Sequence, residues 1–455
     1  MSENQNWRQR SLNALWHPCT QMRDHEGGAD AQIPLIPIRH AEGVWLEDFD
    51  GKRYLDAVSS WWTNIFGHRH PHIRQAIKDQ LEELDHVIFA GFTHAPAVEL
   101  AERLSSIVPP GLTRCYLADN GSTAVEVALK LSFHYWRNQG QPERTRYIAL
   151  TNGYHGETLG ALAVGDTGLY RDTYAPLLMQ PIYVQSPDAY DRADGDSWED
   201  HARKCFTQME AALEQHASEV CAVILEPLLQ CAGGMRMHHP VYLSLLREAC
   251  DRHGVHLITD EIATGFGRTG TLFACEQADI SPDFICLSKG LTAGTLPLAA
   301  VLTGNEIYQA FYADYRDGKA FLHSHSYTGN PLLCRTALAT LDVFEQDDWM
   351  ARNSKTAALM AEGGKTLAAM PNVAEVRQTG MVMAAEMTPG GDRRRSYPAT
   401  ERRGLRVYRH ALSRGVLLRP LGNVVYFMPP YVITPDEIEL MMAVAAEGIE
   451  LATRE

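Results

Sequence analysis

No stretch of this 455-residue chain is apolar for the roughly 20 residues that a membrane-crossing helix needs. The opening segment, MSENQNWRQRSLNALW, lacks an apolar core of signal-peptide length. No C-x-x-C spacing occurs: nine cysteines stand singly, at 19, 115, 205, 221, 231, 250, 275, 286 and 334. Scattered thiols of odd number, several in apolar runs, exclude a disulfide framework and point to reduced, buried side chains. These absences predict a soluble protein of the cytoplasm. An excess of base is missing as well. The formal net charge is −15, which argues against a nucleic-acid footprint. The one basic cluster, Arg393-Arg394-Arg395 with Arg402-Arg403, is flanked by Gly, Asp, Pro and Glu and reads as a solvated loop. Internal repeats and low-complexity tracts are also absent.

What is present centres on residues 255–289. The apolar run Val255-His256-Leu257-Ile258-Thr259 ends in two acids, Asp260 and Glu261. A glycine-rich turn, Gly265-Phe266-Gly267-Arg268-Thr269-Gly270, comes next. A second apolar run, Phe284-Ile285-Cys286-Leu287-Ser288, then ends in Lys289. Short apolar runs bounded by turn signals suit buried strands of a parallel sheet, and open α/β sheets bind ligands beyond the carboxyl ends of their strands. Asp260 and Lys289 are both placed at such ends. Either residue alone has a plain alternative, a helix cap for the acid and a solvated side chain for the lysine. The pair suits pyridoxal 5'-phosphate, which needs a lysine to hold its aldehyde and a carboxylate to keep its pyridine nitrogen protonated.

DEIATGFGRTG, with a lysine 29 residues after its aspartate, resembles the signature of the class III aminotransferases. The resemblance runs from Trp16-His17-Pro18 to Met428-Pro429-Pro430. It implies the α/β fold of fold-type I pyridoxal-phosphate transferases, with a large domain built on a mostly parallel sheet flanked by helices. A smaller α+β domain is drawn from both termini. The expected division is an N-terminal segment 1–64, a cofactor-binding domain 65–330 and a C-terminal domain 331–455.

The chain itself supports this order. Residues 1–45 look irregular, and 44–56 read as a hairpin around Asp50-Gly51 that delivers Ser59-Ser60-Trp61-Trp62. Helical spacing covers 73–90, 96–107 and 202–216, and Val241 to His253. Strands are expected at Cys115–Ala118, Tyr147–Leu150, Cys221–Leu225 and Pro297–Leu302. Residues 186–200 read as a surface insertion and 332–369 as one long helix. Asp119-Asn120-Gly121-Ser122 precedes a helical stretch. Gly121 and Ser122 therefore suit a phosphate at a helix N-terminus, or else Ser122 is an ordinary cap. His155 after Asn152-Gly153-Tyr154 is a general base or a hydrogen-bonded loop histidine. The H-x-H spacings at 68–70 and 323–325 lack accompanying Cys or acid ligands, so no metal site is expected.

By the resemblance, Lys289 and Asp260 are catalytic, and Gly121, Ser122, Tyr154, His325 and Ser326 join them in holding the cofactor. His325 and Ser326 would do so across a homodimer. Trp61, Tyr154, Lys289, Ser324, Arg419 and Cys19 would meet substrate, with Arg419 on its distal carboxylate. Ornithine- and γ-aminobutyrate-type members carry a glutamate in a G-E-A-G stretch after the Glu-Pro motif. Here Glu226-Pro227 leads into Leu228-Leu229-Gln230-Cys231-Ala232-Gly233-Gly234 without it. The Ser59–Trp62 run, AGGMRM at 232–237 and Arg419-Pro420 are similar to the biotin-synthesis branch. That branch converts 8-amino-7-oxononanoate to 7,8-diaminononanoate with S-adenosylmethionine. Two positions depart from its pattern, Cys19 where the branch has tyrosine and Ser324 where it has glycine. They leave lysine open as the donor. An ω-amino acid or diamine transaminase, and a silent binding protein on the same fold, are the remaining alternatives.

Overall fold

The computed structural model describes residues 2–454. It divides into two compact units, Pro71–Ala351 and a second made of the residues up to His70 with those from Arg352 on.

Seven strands form the sheet of the Pro71–Ala351 unit. They are β1 (Arg114–Ala118), β2 (Arg146–Leu150), β3 (Ile182–Val184), β4 (Val220–Leu225), β5 (His256–Asp260), β6 (Phe284–Leu287) and β7 (Ala299–Thr303). Their spatial order is β1-β7-β6-β5-β4-β2-β3. Pairs from β6 to β3 are parallel, and β7 alone runs against its neighbours β6 and β1. The mostly parallel sheet expected from the apolar runs is thus the one that forms. Every residue of β4 to β7 is buried, as strands covered on both faces require.

The period of two along each strand builds two cores. Ala149, Ile224, Ile258 and Cys286 point to one face, where helix α1 (Gly121–Asn138) lays Ala124, Val125 and Ala128 against them. Ile148, Leu225 and Leu257 point to the other, against α2 (Trp198–His216) and α3 (Val241–His253) through Phe206, Leu213 and Leu246. Each large apolar side chain buried in this way contributes roughly 1.5–3 kcal/mol. Helix α3 stops at Gly254, whose φ of +58° is a left-handed cap that glycine adopts without strain.

The other unit holds a four-stranded and a three-stranded sheet. Ile38–Glu42, Trp45–Asp48 and Arg53–Asp56 are antiparallel, and Val416–Leu417 adds to the last in parallel. Val373–Thr379, Val382–Met387 and Val424–Phe427 form the second sheet. The hairpin expected over 44–56 is present, its turn tied by Asp48 Oδ1 accepting the N–H groups of Asp50 and Lys52.

Several expectations need correction. Residues 1–45 are not irregular throughout: Glu3–Ala14 is a helix with a Ser2/Gln5 capping box, and Ile38–Glu42 is a strand. That helix buries no residue, so it carries no apolar period to detect. The helix begun at 71 ends at Glu83 rather than 90. The long helix over 332–369 is two, Pro331–Gln346 and Trp349–Ala368, because Asp347 is extended (φ −134°, ψ 145°). The first third of the supposed insertion at 186–200 is interior: Ser186, Asp188, Ala189 and Tyr190 are buried, and Arg236 lies over the Tyr190 ring at 4.4 Å. Its polar composition concealed a packed turn.

Candidate active site

Strand alternation sends the two acids after Thr259 to different tasks. Glu261 is fully buried and accepts the Thr264 hydroxyl at 2.6 Å and the N–H groups of Ala274 and Cys275 at 3.0 and 2.9 Å. It ties the end of β5 to the loop that follows, and burial pushes its carboxyl up. Asp260 faces His155 instead, whose Nδ1 donates to Asp260 Oδ2 at 2.7 Å. Ile262 N–H donates to Oδ1 at 3.1 Å. Both side chains of this pair are buried, where a carboxylate without such donors would be costly.

Lys289 comes from the neighbouring strand. β6 runs parallel to β5 with Cys286 opposite Asp260, and Glu261 N–H donates to Cys286 O at 3.0 Å. Ser288 is anchored by its hydroxyl to Leu298 O at 2.7 Å. The chain then turns sharply at Lys289, whose φ is +43°. Gly290 allows that turn to sit against the glycine-rich segment: a Cβ there would lie 3.0 Å from Phe266 Cβ. Desolvation pulls the Lys289 ammonium below the usual lysine range, against the attraction of Cys231, Asp260 and Glu226.

β4 supplies a third group, Glu226, one residue past its end. The buried carboxylate accepts the N–H of Tyr154 at 2.9 Å and of Cys231 at 3.0 Å, so it fastens two loops at once. Burial raises its pKa to about 7, with Asp260 adding to the rise and His155 opposing it. Tyr154 donates its hydroxyl to Glu157 at 2.9 Å and keeps its ring half-exposed.

The first turn of α1 is free to bind an anion. Asn120, not Ser122, is the N-cap: its side chain accepts Thr123 N–H at 3.2 Å. Among the described residues no acceptor meets the N–H groups of Gly121 or Ser122. Both stand at the positive end of an 18-residue helix. The Asn152–Gly156 turn approaches closely. A Cβ on Gly156 (φ +117°) would fall 2.0 Å from Ser122 Oγ, so only glycine fits.

Ser324, His325 and Ser326 lie on a loop of the same unit. Lys130 Nζ meets His323 Nδ1 at 2.8 Å, and the Tyr116 hydroxyl donates to His323 O. His94 Nε2 donates to Gly329 O at 2.6 Å. Ser324 and Ser326 are exposed, and no hydrogen bond, ion pair or ring contact joins His325 or Ser326 to the Asp260 group.

The remaining predicted residues belong to the other unit. Trp61 and Arg419 line one pocket of about 280 Å³ with His17, Thr20, Tyr408 and Leu417. The Arg419 guanidinium stands 5.9 Å from the ring centres of both Trp61 and Tyr408. Ile33, Ile36, Ile38 and Leu46 make the pocket's apolar wall. Cys19 is exposed with φ +53°; its neighbours Pro18 and Thr20, not Cys19 itself, line the pocket.

Residues 27–447 match the class-III aminotransferase family. The chain belongs to that family. It is 44% identical over 445 residues to the adenosylmethionine-8-amino-7-oxononanoate aminotransferase of Helicobacter pylori, covering 96% of each chain. The enzyme of the same name from Geobacter sulfurreducens is 43% identical with the same coverage. The crystal structure of the Methanocaldococcus jannaschii protein of that name superposes with a TM-score of 0.93 at 35% identity, over 99% of this chain and 100% of that one. An (S)-enantioselective omega-transaminase from Thermomicrobium roseum reaches the same TM-score at 27% identity, over the full length of both chains. The same backbone shape is therefore shared with an omega-transaminase, and sequence identity, 35% against 27%, is what separates the two neighbours.

Of the expected residues, Asp260, Lys289 and Tyr154 gather around Glu226 and His155 in one unit, and Trp61 and Arg419 share a pocket in the other. Sequence reading gave no site role to Glu226, Cys231 or Arg268. Arg268 is 1% exposed and weakens the Lys289 ammonium further. The signal for it was a charged side chain inside a glycine-rich turn; for Glu226 it was an acid ending the strand beside β5.

Proposed function

We propose that the protein transfers an amino group to 8-amino-7-oxononanoate, forming 7,8-diaminononanoate, with S-adenosylmethionine as donor and pyridoxal 5'-phosphate as cofactor. The observation that carries amino transfer is the placement of Asp260 and Lys289 at the carboxyl ends of two adjacent parallel strands. The acceptor follows from the near full-length likeness to relatives bearing that name.

The residues present fit the cofactor. A lysine with a weakened ammonium can hold its aldehyde, Asp260 can pair with its ring nitrogen, and the open N–H groups of Gly121 and Ser122 suit its phosphate. When bound, the cofactor supplies an electron sink that acidifies the donor's α-carbon. Asp260 holds the ring nitrogen's proton, and His155 orients Asp260 from behind. Lys289, neutral more readily than a solvated lysine, takes the proton from that α-carbon and returns it on the acceptor side. Tyr154 offers its ring and hydroxyl to the bound groups. Arg419, with Trp61 and the aliphatic wall beside it, has the chemistry to take a carboxylate at the end of a methylene chain.

The chain acts as a homodimer in the cytoplasm, His325 and Ser326 reaching the phosphate of the neighbouring subunit. Ile88, Phe92, Leu322 and Tyr327 support this, being 59%, 62%, 91% and 62% exposed on two loops joined by the His86–Tyr327 ring contact. Light scattering that gave a monomer would remove the dimer. The deciding experiment for the reaction mixes cofactor-loaded protein separately with S-adenosylmethionine, lysine and alanine, without acceptor. Loss of the bound aldehyde's absorbance with S-adenosylmethionine alone is expected. Loss with lysine alone would transfer the donor role, and a response only to alanine would overturn the substrate assignment.

A further inference from the structure

Helix Arg403–Ser413 presents a charged stripe. Arg406 and Arg409, three residues apart, share one face, and Arg402 precedes the helix at its N-cap. That face borders a cleft of about 810 Å³ within its own unit, and Arg8 and Lys52 border it too. Five cations thus line one concavity in a chain of net charge −15. Like charges at this spacing weaken a helix unless something compensates them.

Most of these charges lack a carboxylate. Arg402 is paired with Asp24 at 2.6 Å. Arg8 donates to Leu35 O at 3.0 Å and Lys52 to Leu412 O at 2.8 Å, both neutral acceptors. Arg406 and Arg409 have no ion-pair partner among the described residues, and both are exposed. Glu401 is the only acid on the lining, and Arg403 already takes it at 2.6 Å. The floor has a different character. Pro34, Ile36, Leu405 and Leu412 make it apolar; the Tyr54 ring beneath is buried and carries Lys52 Nζ over it at 5.1 Å. A cationic rim over an apolar floor of this volume fits a small molecule with several negative charges and a body of low polarity.

We propose that this cleft binds a nucleoside polyphosphate, its phosphates on Arg406, Arg409 and Lys52 and its base over Pro34, Ile36 and Leu405. The cleft shares Ile36 and Leu412 with the Trp61–Arg419 pocket, whereas Arg406, Arg409 and Lys52 do not line that pocket. The test is calorimetric titration of ATP into the holoenzyme, so that the cofactor's own phosphate site is filled. Saturable binding of one ATP per chain is expected. It should weaken by about tenfold or more in the doubly substituted Arg406→Ala/Arg409→Ala protein, through lost charge-assisted hydrogen bonds. Arg203→Ala, which removes an exposed arginine paired with Glu199 elsewhere, should leave it unchanged. Absence of saturable binding, or equal binding in the double variant, would overturn the proposal. Inorganic pyrophosphate should bind more weakly than ATP; equal affinity would overturn the role of the floor.

Discussion

Asp260 and Trp61 are placed by opposite means. Asp260 closes a regular strand whose five residues are all buried and which has a parallel neighbour on each side. Trp61 stands within Ser59–Trp62, four consecutive residues with φ of 52°, 45°, 72° and 72°. A left-handed turn of non-glycine residues costs roughly 1–2 kcal/mol per residue. It persists because its surroundings hold it. Asp56 accepts Ser60 N–H at 2.8 Å and the Ser60 hydroxyl at 2.7 Å, Ser59 Oγ donates to Met428 O at 2.7 Å, and Trp62 Nε1 donates to the Tyr426 hydroxyl at 3.0 Å. Asp260 rests on unstrained backbone. Trp61, proposed to meet substrate, rests on strain that the rest of its unit must offset.

The sharpest way to break this comparison is at the chemical end. Lys289→Ala should lower turnover by about 10³-fold or more, the contribution of a positioned acid–base group, with the far-ultraviolet circular dichroism unchanged. Near-normal steady-state turnover would remove Lys289 from the mechanism. Asp260→Asn should cost roughly 10²-fold in kcat while the melting temperature changes little, since the side chain keeps its shape. An unchanged kcat would mean that Asp260 is not the ring-nitrogen partner.

At the strained end the pattern should reverse. Asp56→Ala removes both Ser60 contacts and the His68 contact at 3.1 Å, and should destabilise by about 3 kcal/mol in urea unfolding. Its KM for the keto acceptor should rise, while the spectrum of bound cofactor stays as in the wild type. A changed cofactor spectrum with an unchanged KM would show that the turn serves the wrong partner.

Two smaller effects probe the groups between. Glu226 has a folded-state pKa of about 7 against an ordinary 4.5, so the folded protein holds that proton more tightly than the unfolded chain. The resulting stability is full below about pH 4.5 and is lost as pH climbs through 7. Between pH 5 and 8 the wild type should therefore lose about 2–3 kcal/mol more than Glu226→Gln. Equal losses in urea titrations would show that the carboxyl is not so perturbed. His155→Gln should slow turnover by about tenfold, as expected for a residue that orients a functional carboxylate. A larger loss than in Asp260→Asn would make His155 an acid–base group in its own right.

Much of the site was legible because its parts sit where local rules are strong. Apolar runs ending in Asp260, Glu226 and Lys289 mark strand ends, and a parallel sheet brings strand ends to one edge. What could not be read is which way each side chain turns. Asp260 and Glu261 are adjacent acids of similar chemistry, and only the strand's alternation directs one to His155 and the other to Thr264. His155 as the partner of Asp260 depends on a contact across 105 residues. The break at Asp347 and the buried start of 186–200 were missed because neither leaves an apolar period.

The sequence by itself determined the sheet-forming runs, the aspartate–lysine pair and the family, since these depend on residue type and short spacing. Tertiary structure alone decided the perturbed pKa values, the left-handed turn under Trp61 and the gathering of five cations around one cleft. Each of those depends on burial or on contacts between distant segments, and neither quantity exists until the chain has folded.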